Sequence, residues 1–172
     1  MKIIDLVDGN IVITPEALCI SPFSELWQKD KSKGKALAIN QIKYIWFYSD
    51  FNSPYFQHPE SDRHNLVLMD VIRDKSFELT KEVKEGIDKY KQLTDSPAIK
   101  AVESAFIFIN KIQDYFKTVD LHEVDATKVS ALFSNMPKIV AALNEAKKAA
   151  YAEETSSTKI RGGATLGQFE NI

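Results

Sequence analysis

The chain has 172 residues, of which 44% are hydrophobic and 27% charged. That balance suits one folded domain and excludes disorder throughout. With 22 basic against 24 acidic residues the net charge is -2, so no general field draws the molecule to a phosphate backbone. The single cysteine, Cys19, excludes an internal disulfide framework and a cysteine-based zinc site.

The first seven residues carry acids rather than a basic run and have no long apolar core, so no signal peptide is expected. The apolar stretch around 106–109 is far too short to span a bilayer, and no other is longer than five residues. These features predict a soluble protein made in a cytoplasm.

Chain order begins with a predicted β-hairpin over 1–14. Ile3-Ile4-Asp5-Leu6-Val7 and Ile11-Val12-Ile13 are rich in β-branched residues, and Asp8-Gly9-Asn10 between them supplies turn chemistry. Two strands alone are marginal, so the hairpin must lie on the helical body or join a neighbour's strand.

From Thr14 the signals turn helical. Thr14-Pro15, Ser21-Pro22 and Ser96-Pro97 each place a capping hydroxyl before a proline at the first helical position. They open a short turn through Leu18, a helix over 23–29, and a long helix over 96–119. Cys19, between Leu18 and Ile20, reads as a small buried apolar residue rather than a nucleophile. A stronger helix is predicted over 35–48, ended by Asn52-Ser53-Pro54. Another is predicted over 61–73, where Leu66, Val67, Met69, Val71 and Ile72 also permit a strand. Thr80 caps a polar helix to residue 93 with Val83, Ile87 and Tyr90 on one stripe.

In the long helix, Ile99, Val102, Phe106, Ile109 and Phe116 mark one face. Phe108, Ile112 and Tyr115 widen it, which predicts cover on more than one side. Asp125 is the expected cap of the last helical region. There Val129, Leu132, Met136, Ile139, Leu143, Ala146 and Ala150 recur in steps of three and four, a seam for a partner helix. Pro137 predicts a kink, or two helices meeting. Residues 15–152 thus form the predicted helical body, and 153–172 an extended C-terminal arm that starts with a polar linker over 153–158. The fold class is mainly α: a helical bundle with a small N-terminal β-hairpin and an extended arm.

Chemistry-bearing patterns are scarce. His58, His64 and His122 lack the three- or four-residue spacing of ligands on one helix face, so no metal is expected. There is no Gly-x-Ser-x-Gly elbow. The glycines at 162, 163 and 167 form neither a P-loop nor a dinucleotide fingerprint. Neither a cofactor nor an enzymatic activity is expected. The basic stretch 29–35, followed by Tyr44, Trp46, Phe47, Tyr48, Phe51, Tyr55 and Phe56, has two readings. One is a single-strand binding platform; the favoured one is a solvated turn before a helix whose rings fill the core. The arm also has two readings. Lys159, Ile160, Arg161, Gly162, Gly163, Leu166 and Phe169 belong to a frayed terminus with chance apolar residues, or to a partner-binding segment with glycines permitting close approach.

Scattered along most of the chain are positions that resemble a known group. They are Leu26-Trp27-Gln28-Lys29-Asp30-Lys31-Ser32-Lys33, Ile42-Lys43-Tyr44-Ile45-Trp46-Phe47, Asp50 and Ser53-Pro54-Tyr55. Ile87-Asp88-Lys89-Tyr90, Ser96-Pro97, Tyr115-Phe116, Val119-Asp120 and Arg161-Gly162-Gly163 continue the pattern. Together they look like small virion structural proteins of tailed bacteriophages, most like the head-tail connector (ring or adaptor) proteins of crAss-like phages. The resemblance implies a compact helical subunit in a twelvefold ring of its own copies. Its arm docks on the portal protein, it meets other connector or tail proteins, and DNA passes nearby without specific binding. It implies no membrane partner, a place in the neck or tail of the virion, and residence in the host cytoplasm before assembly. The alternative is a helical binding module outside the virion, such as an assembly chaperone or host-takeover factor.

Overall fold

A computed structural model describes residues 3–7, 10–74, 76–118 and 126–160. Strands β1 (Ile4–Val7) and β2 (Asn10–Ile13) pair antiparallel, with Ile4 opposite Ile13 and Val7 opposite Asn10. The hairpin therefore closes within one chain. Ile3 and Ile4 are fully buried against the helices, whereas Val7 and Val12 face outward. That burial supplies what two isolated strands lack.

A 3-10 turn (Ala17–Cys19) follows, with the Thr14 hydroxyl accepting from the Ala17 amide at 3.3 Å. The turn aims Ala17 into the core and leaves Cys19 exposed. This corrects the expectation of a buried thiol: flanking apolar residues do not decide which side of a three-residue turn faces inward.

Helix α1 (Phe23–Lys29) has the predicted bounds, but its cap differs from the expected Ser21. The Ser21–Pro22 peptide is cis, Pro22 occupies the cap position, and the Ser21 hydroxyl bonds the Glu25 carboxylate instead of a backbone amide. Helix α2 (Ala36–Ser49) is the centre of the body, with Ile42, Tyr44, Ile45, Trp46 and Phe47 all buried. A helix apolar on so many sides must be surrounded. The hairpin, α1, α3 and α4 enclose it.

Helix α3 (Glu60–Val67) runs on into a π-helical turn (Leu68–Ile72), and Arg73 ends it in the left-handed conformation. The strand alternative for this stretch is not adopted. Helix α4 (Lys81–Thr94) starts where Thr80 caps it by accepting from the Val83 amide, and Val83 and Tyr90 are buried. Gly86 lets α4 approach α2 closely: a Cβ there would sit 2.5 Å from Cδ1 of Ile45.

Helices α5 (Pro97–Thr118) and α6 (Ala126–Ile160) pack on each other. Ser96 caps α5 by accepting from the Ile99 amide at 3.2 Å. Every position of the predicted α6 seam, from Val129 to Ala150, is at least partly covered, and the residues between are mostly exposed. Pro137 lies inside one continuous helix, so two separate helices do not meet there. A second, smaller apolar cluster of Phe56, Ala98, Val102, Leu143 and Ala150 fixes this pair to the body. The predicted cap Asp125 lies outside the described residues.

Candidate interaction surface

The expectation of α5 covered on more than one side is met only in part, by α6 along one stripe and by Phe56 and Gln57 of the body beside it. Only Ala98, Val102 and Ile112 are buried along it, and Ile107, Phe108 and Tyr115 remain 40% exposed or more. The reason is that α6 is the single long partner, and one helix covers one stripe. On α6, Phe133, Val140 and Tyr151 are likewise exposed, Phe133 at 59%.

These side chains fall on two opposite faces of the α5–α6 pair. Contacts with the body define one face. Asn110 donates to the Gln57 carbonyl at 3.1 Å, Phe106 meets the Phe56 ring, Lys147 stands 4.7 Å over Phe106, and Tyr151 packs on Phe51. Phe133 is eighteen residues before Tyr151, five full turns, and Val140 is only about 20° away from that line. The α6 stripe therefore continues the body-side face beyond the body. Phe108 is about 160° around α5 from Phe106, and Tyr115 about 140° from Asn110. They form a stripe on the far face. At one point the body-side stripe is partly satisfied, where Phe116 and Phe133 stack with centroids 4.6 Å apart.

A second feature is a cleft of about 250 Å³ where the ends of α2, α4 and α6 meet the start of α5. Phe51, Leu93 and Ile99 line it with the carboxylates of Asp50, Asp95, Glu153 and Glu154. Asp50 is buried and accepts from the Tyr90 hydroxyl and the Asn52 amide. Burial, then the adjacent Asp50 charge, pushes the Tyr90 phenol well above its ordinary range. Glu153 and Glu154 stand there because the stretch 153–158, expected as a linker, is helical. The run Ala149 to Glu154 is rich in strong helix formers, and the Thr155 and Ser156 hydroxyls are satisfied within the helix by the Tyr151 and Glu153 carbonyls.

The basic stretch is divided in use. Lys29 pairs with Glu82, and Lys35 donates to the Trp27 and Asp30 carbonyls. Lys31 and Lys33 are exposed on a loop clamped by Asp30, whose carboxylate accepts from the Ser32 amide at 2.8 Å and the Ala38 amide at 3.1 Å. Those bonds, Ser32 foremost, hold the Asp30 carboxyl down at about 2. The aromatic residues that followed in sequence are not beside them on the surface: Tyr44, Trp46, Phe47 and Phe56 are buried in the core.

Of the histidines, His64 bonds the Tyr44 hydroxyl through Nδ1 at 2.8 Å, and His122 lies outside the described residues. No group of three or more His, Cys, Asp or Glu among the described residues is arranged to hold a metal ion. No helix among them is long and apolar enough to cross a membrane. Of the arm residues, Lys159 and Ile160 fall in the last turn of α6; Arg161, Gly162, Gly163, Leu166 and Phe169 lie outside the described residues. Comparison with family models, with curated proteins and with solved structures finds no match to this chain.

Proposed function

We propose that this chain is a non-enzymatic structural subunit of a phage head-tail connector ring, docking on the portal and helping to form the DNA channel. The observation that carries this reading is the pair of half-exposed apolar stripes on opposite faces of α5–α6, Phe108 with Tyr115 and Phe133 with Val140. Two different patches on opposite sides suit a head-to-tail contact, which closes into a ring when its rotation permits; a two-fold dimer needs only one patch. Exposed aromatic residues of this kind are also typical anchors of protein interfaces. In this reading the arm reaches the portal, with Ile160, Leu166 and Phe169 as apolar anchors and Lys159 and Arg161 pairing with acids on the portal or an adjacent ring. Gly162 and Gly163 permit close backbone approach.

Quantitative mass spectrometry of purified particles from the source phage tests the proposal. A copy number equal to the portal's supports a ring subunit. Absence from the particle overturns it and leaves a helical module, such as an assembly chaperone, whose client covers the same stripes.

A further inference from the structure

Arg63 on α3 is a buried cation that is only partly answered. It is 3% exposed, donates through Nε to the His58 carbonyl at 2.8 Å and through Nη2 to the Phe56 carbonyl at 2.7 Å. Its guanidinium also lies 4.5 Å over the Phe56 ring. Nη1 is buried and has no partner among the described residues. A charged donor left bare in the interior is costly. Burial lowers the guanidinium from its ordinary value, and the Glu103 charge offsets that only in part. Arg63 lines a pocket of about 210 Å³ between the start of α3 and α5, and Nη1 is the nitrogen it has left to offer there. Phe106, Ile107, Asn110 and Lys111 of α5 line the same pocket. Lys111 is exposed and pairs with no described residue, and Asn110 uses one N–H on the Gln57 carbonyl. Of the carboxylates in the lining, Glu60 pairs with Lys91 and Asp114 with Lys117. Glu103 acts on Arg63 only through space.

We propose that this pocket binds a carboxylate group, with Nη1 of Arg63 as the buried donor and Lys111 and Asn110 beside it. A carboxylate accepts from a guanidinium in a short, charge-assisted bond. It brings a single charge, so it meets less repulsion from Glu103 than a phosphate dianion would. The pocket is smaller than the sites of drug-sized ligands, and Phe106 and Ile107 suit the short methylene stem of such an acid. The start of α3 adds little, because Glu60 and Asp62 already stand in its first turn. Two other partners could answer Nη1, a water molecule or Glu103 after a change of rotamer, and neither gives the responses expected of a carboxylate site. The inference does not rest on a place in the virion.

An NMR titration of the full chain at pH 7 with sodium acetate, against sodium chloride at equal ionic strength, tests it. Acetate is expected to shift the Arg63 side-chain and Asn110 amide resonances saturably at millimolar concentrations, and chloride is not. Arg63→Gln should abolish the response, with circular dichroism checking that the helices remain. Two milder variants keep Arg63 in place. Lys111→Ala should weaken acetate binding about threefold, and Glu103→Gln should tighten it about threefold by removing a like charge. N-acetylglutamate amide carries the same carboxylate in peptide form. If it binds more tightly than acetate, the source is an acidic side chain of a partner protein; if acetate binds more tightly, the source is a free small acid. Either result upholds the site. No saturable response to acetate overturns the proposal, as does an equal response to chloride. So does a Glu103→Gln variant that binds acetate no more tightly and unfolds more readily, because Glu103 is then the partner of Nη1.

Discussion

The Tyr90 hydroxyl donates to Oδ2 of Asp50, tying the end of α4 to the end of α2 across forty residues of sequence. Both groups are buried, so the bond joins a phenol that cannot easily ionise to a carboxylate that cannot easily be left bare. Tyr90→Phe removes one donor from a buried carboxylate and is expected to cost about 1–3 kcal/mol in denaturant unfolding.

The same pair sets an alkaline limit. Burial raises the phenols of Tyr90 and Tyr44 above their ordinary range. Above a pH of about 10 the unfolded chain releases these protons while the folded chain keeps them, so stability falls as pH rises. Below that pH both states hold the protons, and the groups contribute no slope. Ultraviolet titration should show these two of the six tyrosines ionising only as the protein unfolds. Normal titration of all six in folded protein would contradict the buried placement.

Asp30 sets a limit on the acid side. Its carboxyl is held at about 2 by hydrogen bonds from Ser32 and Ala38. As pH falls below about 4, the unfolded chain takes up this proton first, so the stabilisation is present at neutral pH and lost toward pH 2. Asp30→Ala should lower stability at pH 7 and flatten the acid limb of the curve. An unchanged acid limb would remove Asp30 from that role.

Gly86 is a packing requirement. Gly86→Ala gains about 1 kcal/mol of helix propensity but drives a methyl into buried Ile45, an overpacking penalty of about 1–3 kcal/mol. A net loss of about 1 kcal/mol is expected. Ile45→Val removes the clashing Cδ1, so the double variant should be at least as stable as Ile45→Val alone. Additive losses in the cycle would rule out this contact as the cause.

The opposed stripes predict a pattern of assembly. F108E/Y115E and F133E/V140E alter mostly exposed positions and should leave the fold intact, with F133E costing about 0.5–1.5 kcal/mol through the lost Phe116 stack. Either pair should abolish higher assembly, judged by native mass spectrometry. Mixed together, they should give only dimers, since each retains one good face. Undiminished assembly by both would show that the stripes are not interfaces.

Cys19 should react with a thiol reagent in the folded state, at one equivalent per chain, because the 3-10 turn exposes it. Reaction only on unfolding would restore the buried reading that its sequence neighbours suggest.

Sequence alone determined whatever depends on neighbours within a few positions. Alternating β-branched residues around Asp8-Gly9-Asn10 specify the hairpin, the hydroxyls of Thr80 and Ser96 specify two helix starts, and the three-four spacing from Val129 to Ala150 marks the side of α6 that is covered. Periodicity of that kind reports which positions are apolar, not whether anything is available to cover them. For that reason only the tertiary structure decided that Phe108 and Tyr115 stay exposed, since α5 meets one long helix and not two. The same holds for the cleft. Asp50, Asp95 and Glu153 are some fifty residues apart from one to the next, and no local pattern joins them until the helices pack. The polar run 153–158 differs for a related reason: its composition resembles a linker, and it is helical because the strong helix formers before it carry the helix on and the Thr155 and Ser156 hydroxyls bond within it.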